Sequence, residues 1–204
     1  MSIYALKPRF QALLRPLAAS LARNGITANQ VTIAAAAISV FVGAFVTWRA
    51  PDRTPFLLIP LWMFVRMALN ALDGILAREF GQQTPLGACL NELGDIVADV
   101  ALYAPFAWLA PFSIAWIAAV IICAIVAEFT GVMGPLIGAS RRYDGPFGKS
   151  DRAVAFGGLG LWIGLGGPLP EWLALVPPLF VVLLILTTVN RVHNALIETK
   201  DNVR

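Results

Sequence analysis

Asp73, Asp95 and Asp99 stand with Asn70 and Asn91 in two stretches, 70–78 and 87–99, of a chain otherwise apolar enough to live in lipid. Carboxylates at bilayer depth are costly and mark functional sites. Taken as two antiparallel helices whose cytoplasmic ends lie near Phe80 and Leu86, the stretches place Asn70 about 15 Å deep, Asp73 about 10 Å, Asn91 about 7 Å and Asp95 about 13 Å. Those four side chains are level. On the second of the two helices Asn91, Asp95 and Asp99 recur every fourth residue, so they form one polar stripe. Gly74 and Gly87 clear space beside it. Oxygen-only ligands of this kind suit Mg2+ or Mn2+, which bind through a few carboxylates and complete their shells with substrate phosphate. Arg78 at the mouth is placed to take a phosphate in bidentate fashion. Metal, cation and carboxylate base are the parts of a phosphoryl-transfer site. The bland alternative is a polar seam gluing two helices, for which Ser or Asn would serve without three aspartates.

The elements that must carry these residues are membrane helices. Of the 204 residues 58% are hydrophobic and 13% charged, and the mean hydropathy is +0.75, which excludes a water-soluble domain without large exposed apolar patches. Windows of about 17 to 25 apolar residues match a bilayer core roughly 30 Å thick. Six are expected, at 29–49, 56–80, 86–110, 113–138, 153–168 and 172–190, the fifth short and rich in glycine. The fold class is therefore an all-α integral membrane protein in one domain: an interfacial amphipathic helix over 1–25, a six-helix bundle over 26–190 and a cytoplasmic tail over 191–204.

The first segment puts Ile3, Leu6, Phe10, Leu13, Leu14, Leu17 and Leu21 on one face, with Lys7, Arg9 and Arg15 elsewhere, a pattern for lying on anionic head groups. Asn24-Gly25 ends it, and Thr27 caps the first span. Basic residues collect before span one, at Arg78, after span four and beyond span six at Arg191, Lys200 and Arg204; only Arg49 and Arg53 lie in an opposite-side loop. By the positive-inside rule both termini are cytoplasmic, in a bacterial inner membrane. Membrane lipids are partners, and no nucleic acid is expected. Cys89 and Cys123 read as buried free thiols. Arg66 and Glu128, isolated charges in spans two and four, read either as interhelical ion pairs or as substrate ligands. His193 reads as a solvated helix-end residue.

The polar hairpin resembles the CDP-alcohol phosphatidyltransferase family. That family's pattern is D-x-x-D-G-x-x-A-R, eight residues, then G-x-x-x-D-x-x-x-D. This chain reads Asn70-x-x-Asp73-Gly74-x-x-Ala77-Arg78, eight residues, Gly87-x-x-x-Asn91-x-x-x-Asp95. The six-span plan, the amphipathic start and Thr27-x-Asn29-x-x-Thr32 before the first span are similar too, so the resemblance covers most of the chain. It implies transfer of a substituted phosphate from a CDP-linked lipid to an alcohol acceptor, with CMP released, by a homodimer using divalent metal.

Position by position, the resemblance makes Asp73 a metal ligand and Asp95 the general base with a share in the metal. Gly74, Ala77, Arg78 and Gly87 would line the CDP site. Asn70 and Asn91 replace two family aspartates and offer amide oxygens without charge, which weakens the case for a second cation. Asp99, one turn deeper on the stripe, is the better candidate to restore charge, since Glu92 points about 100° away from Asn91. The loop from Arg141 to Arg152, with Arg142 and Lys149, resembles the family's acceptor-side loop, and so many cations favour a phosphorylated or anionic acceptor. Those same cations also serve as topology determinants. The leading rival is a family member that binds nucleotide or lipid without turnover. A prenyltransferase would want two well-separated Asp-rich motifs, and a transporter would want a matching inverted half.

Overall fold

The computed structural model describes residues 6–202, with side chains from Phe10 to Asp201. Ile3 and Arg204, and the side chains of Leu6, Lys7 and Arg9, fall outside the described residues. The described residues form α1 (Leu6–Arg23), α2 (Ala28–Arg49), α3 (Leu58–Glu79), α4 (Pro85–Tyr103), α5 (Ile114–Met133), α6 (Lys149–Gly164) and α7 (Val176–Asn202), with short 3-10 turns before α3 and α7 and after α4 and α5. There is no strand among them.

Local chemistry sets the helix ends. Gly25 takes the left-handed conformation at φ 74°, which a residue with a Cβ adopts only with strain. It closes α1, with Gly25 N–H donating to Ala22 O and Ile26 N–H to Leu21 O. Thr27 and Gln30 then cap α2 reciprocally: Gln30 N–H donates to Thr27 Oγ1 at 3.2 Å and Thr27 N–H to Gln30 Oε1 at 2.9 Å. Thr84 opens α4 by accepting from Gly87 N–H at 2.9 Å.

The chain divides into two compact units, Met1–Val42 with Leu61–Leu102, and Gly43–Pro60 with Tyr103–Arg204. In the first, Ala18 of α1, Ala28 and Val31 of α2, and Leu72, Ile75 and Leu76 of α3 form a buried cluster against which Leu14, Leu21, Ala22 and Ile26 pack. The apolar face expected of α1 is therefore split. Leu14 and Leu21 turn inward, while Leu13 and Leu17 stay exposed. In the second unit α5 packs along α7, and α6 lies on the turn at 54–57 through its glycines: a Cβ at Gly164 would come within 2.5 Å of Leu57.

Four helical segments are each long and apolar enough to cross a membrane: Ala28–Arg49, Thr54–Glu79, Ile114–Ile137 and Glu171–Asp201. The third and fifth expected spans are helical too. By length and composition alone they fall short, because α4 carries Glu92, Asp95 and Asp99, and α6 has only 16 residues. Beyond Asn190 the backbone stays helical to Asn202 instead of becoming a separate tail. Charge ends a lipid-compatible run, but a helix stops only at a breaker, and 191–202 holds neither Gly nor Pro. His193 accordingly lies inside α7, exposed, and not at its end. Both cysteines are free, but Cys89 is exposed where burial was expected, and Cys123 is partly buried.

Candidate functional site

In the first unit, three helices bring their polar side chains together. From α3, Arg66, Asn70 and Asp73 follow one another at one-turn spacing on a single face. From α4, Asp95 and Asp99 lie one turn apart and meet that face. Arg66 joins them: Nη2 donates to Asp95 Oδ1 at 2.8 Å and to the Asp95 carbonyl at 3.1 Å, and Nη1 donates to Asp99 Oδ1 at 2.9 Å. Asn70 Nδ2 donates to the same Asp95 Oδ1 at 3.2 Å. Asp73 is held from α2, whose Thr32 Oγ1 donates to Asp73 Oδ2 at 2.7 Å. Arg66, Asp73 and Asp99 are all buried, at 6%, 7% and 6% exposure. A buried carboxylate needs such donors to stay charged away from water.

The start of α2 also braces the turn between α3 and α4. Gln82 Oε1 accepts from Ala28 N–H at 2.7 Å, and Asn29 Nδ2 donates to Thr84 Oγ1 at 3.4 Å. A Cβ at Gly87 would lie 2.6 Å from Asn29 Oδ1 and 3.0 Å from Thr84 Oγ1, so α2 and the α4 cap come close at this glycine. Arg78 folds back over its own helix, where a Cβ at Gly74 would meet Nη2 at 2.8 Å. Ala77 sits against the apolar cluster shared by α1, α2 and α3. Asn91 is partly buried on α4.

The structure thus joins Asp95 and Asp99 through Arg66, ties Asn70 to Asp95 directly, and places Asp73 with Thr32. Among the described residues no group of three or more His, Cys, Asp or Glu converges as a metal site. The donors present are one aspartate on α3, an aspartate pair on α4 tied to a guanidinium, and the amides of Asn70 and Asn91. That set matches one hard cation better than two. Sequence reasoning weighed Arg66 without giving it a partner and missed the contact from Thr32 to Asp73. Arg66 was within reach of the helix-stripe rule, being one turn before Asn70.

In the second unit the basic residues of the 141–152 loop are engaged as well. Arg142 reaches Asp144 through Nε and Nη2 at 2.7 and 2.9 Å and Glu198 Oε2 through Nη1 at 2.5 Å. The hydrogen bond from Arg142 holds the Asp144 carboxyl below its ordinary range. Arg141 lies over the Tyr143 ring, 4.8 Å from its centroid. Gly148, next to Lys149, donates its N–H to Asp151 Oδ2 at 2.9 Å at the start of α6. Arg152, fully buried, donates to Glu128 Oε1 at 3.0 Å, and Arg191 of α7 approaches the same oxygen at 3.6 Å. Arg191 also donates to the Ala127 and Asp144 carbonyls. Glu128 is therefore the ion-pair partner of two buried arginines on separate helices. Arg191 was not among the expected site residues, since nothing local links residue 191 to 152 or 128.

The sequence profile of the CDP-alcohol phosphatidyltransferases matches residues 25–189, and the chain belongs to that family. It is 44% identical over 201 residues to the Inner membrane protein YnbA of Escherichia coli K12, covering 98% of this chain and all of that protein. It is 32% identical over 128 residues to the phosphatidylinositol phosphate synthase of Mycobacteroides abscessus, a match that spans 58% of this chain and about half, 54%, of the synthase. Among solved structures, Mycobacterium tuberculosis phosphatidylinositol phosphate synthase with CDP-DAG bound superposes with a TM-score of 0.70 at 24% identity, covering 88% of this chain and 92% of that one. The same enzyme in complex with manganese and citrate gives 0.69, again at 24% identity, covering 88% and 87%. These two similarities concern the fold.

Proposed function

We propose that the chain is a bacterial inner-membrane transferase that moves a substituted phosphate from a CDP-linked lipid to a phosphorylated alcohol and releases CMP. The observation that carries this reading is the fixed carboxylate of Asp95, held by Arg66 and Asn70 on a face it shares with the Asp73 helix. Family membership, the lipid donor of the tuberculosis enzyme and its manganese complex support the donor and the metal. The name of the Escherichia coli relative supports the location. Both termini are cytoplasmic in this proposal, six helices span the bilayer, α1 lies in the interface, and the active form is a homodimer.

Asp73 and Asp95, with the amide oxygens of Asn70 and Asn91, would hold one Mg2+ or Mn2+, which when bound would supply positive charge beside the pyrophosphate. Gly74, Ala77, Arg78 and Gly87 line the nucleotide site, and Arg78 pairs with phosphate oxygens. Asp95 takes the proton of the acceptor hydroxyl. The hydroxyl oxygen then bonds to the β-phosphorus while the bond to the CMP oxygen breaks, and CMP leaves with the electron pair. Arg141, Arg142, Lys149 and Arg152 take the anionic group of the acceptor. The cluster around Glu128 supports that assignment, since it gathers two buried guanidiniums at the α6 end of that loop.

The test is CMP release from CDP-diacylglycerol by pure protein with Mn2+, across plain and phosphorylated alcohols. Release with a phosphorylated acceptor and little with its dephosphorylated form is expected. Release with plain alcohols alone would overturn the acceptor class. A second reading, nucleotide binding without turnover, is favoured by Asn70 and Asn91, which lack the charge of the family's aspartates. Nucleotide binding with no CMP release from any acceptor would establish it.

A further inference from the structure

Three features of the hairpin occur side by side. Asn70 and Asn91 remove two negative charges from the family pattern; Arg66, one turn before Asn70, adds a positive one; and that guanidinium lies between Asp95 and Asp99. The three contacts at Asp95 Oδ1 and Asp99 Oδ1 are direct, at 2.8, 3.2 and 2.9 Å. Asn70 fits this arrangement and aspartate would not. Its amide donates to the oxygen that Arg66 also holds, whereas a carboxylate at 70 would face Asp95 with like charge.

We infer that Arg66 takes the place of a second divalent cation, so that this chain works with one metal ion where four aspartates would hold two. The inference rests on the transferase reading. Position agrees with it, because the guanidinium joins two carboxylates on one helix face at 2.8 and 2.9 Å, and its fixed fork needs no hydration shell to complete. Arg66 is here a charge-compensating and positioning residue that acts through Asp95.

The experiment counts Mn2+ by electron paramagnetic resonance on the full chain in detergent with CDP-diacylglycerol present. Wild type and Arg66→Lys are expected to bind one Mn2+ per chain. Arg66→Gln is expected to gain a second equivalent, and its thermal midpoint is expected to rise with added Mn2+ more steeply than that of wild type. Asp99→Asn placed on Arg66→Gln removes the extra charge and should return the count to one. A merely structural arginine would leave the count at one in every folded variant. Two Mn2+ per wild-type chain, or an unchanged count in folded Arg66→Gln, overturns the inference; should Arg66→Gln fail to fold, Arg66→Met is read by the same count with the same two outcomes. The transferase reading fails separately, if wild type binds neither Mn2+ nor the cytidine lipid.

Discussion

The two charged clusters are inverses of one another. In the α3–α4 hairpin one guanidinium, Arg66, bridges two carboxylates, Asp95 and Asp99; in the second unit one carboxylate, Glu128, serves two guanidiniums, Arg152 and Arg191. In each cluster a single side chain holds two others of opposite charge, so its loss breaks two buried contacts at once. The difference teaches that one arrangement serves either sign: the two partners lie one turn apart on one helix in the first unit and come from two helices in the second.

The comparison breaks first at Glu128. Glu128→Gln takes one carboxylate from the buried Arg152 and Arg191 together, and a loss of about 3 to 5 kcal/mol is expected in thermal unfolding in micelles. Asp99→Asn keeps the Asp95 pair with Arg66, so a smaller loss, about 1.5 to 3 kcal/mol, is expected in the same measurement. Equal losses would remove the asymmetry. Thr32→Val takes one hydroxyl from Asp73, and about 1 kcal/mol of stability should go with it.

The smallest effect is one of pH. Asp144 is held below its ordinary value by Arg142, so its contribution is present above about pH 4 and fades as pH falls through the lower folded value. Asp144→Asn should flatten that acid limb of the thermal midpoint by less than about 1 kcal/mol, because the pair is partly exposed. An unchanged limb would place the acid sensitivity elsewhere.

What could be read in the sequence follows from how far apart the cooperating residues lie. Apolar windows located α2 and α3 to within two residues, and recurrence at every fourth position put Asp95 and Asp99 on one face, because both signals are local. The bridge from Arg66 depends on how α3 and α4 rotate against each other, so only its presence on the Asn70 face was legible. Arg152, Arg191 and Glu128 come from three helices with no shared period, and their meeting is tertiary. The helicity of the run from Arg191 to Asn202 was not legible, because loss of apolar character marks the limit of lipid contact, while the helix persists until its backbone is interrupted.

The most direct measurement is CMP release from CDP-diacylglycerol by Asp73→Asn and Asp95→Asn beside wild type, with each protein's thermal midpoint recorded at the same Mn2+. Turnover at least about 100-fold lower in both variants, with the fold retained, is the expected result. A folded variant as active as wild type would contradict the placing of the chemistry on these two carboxylates.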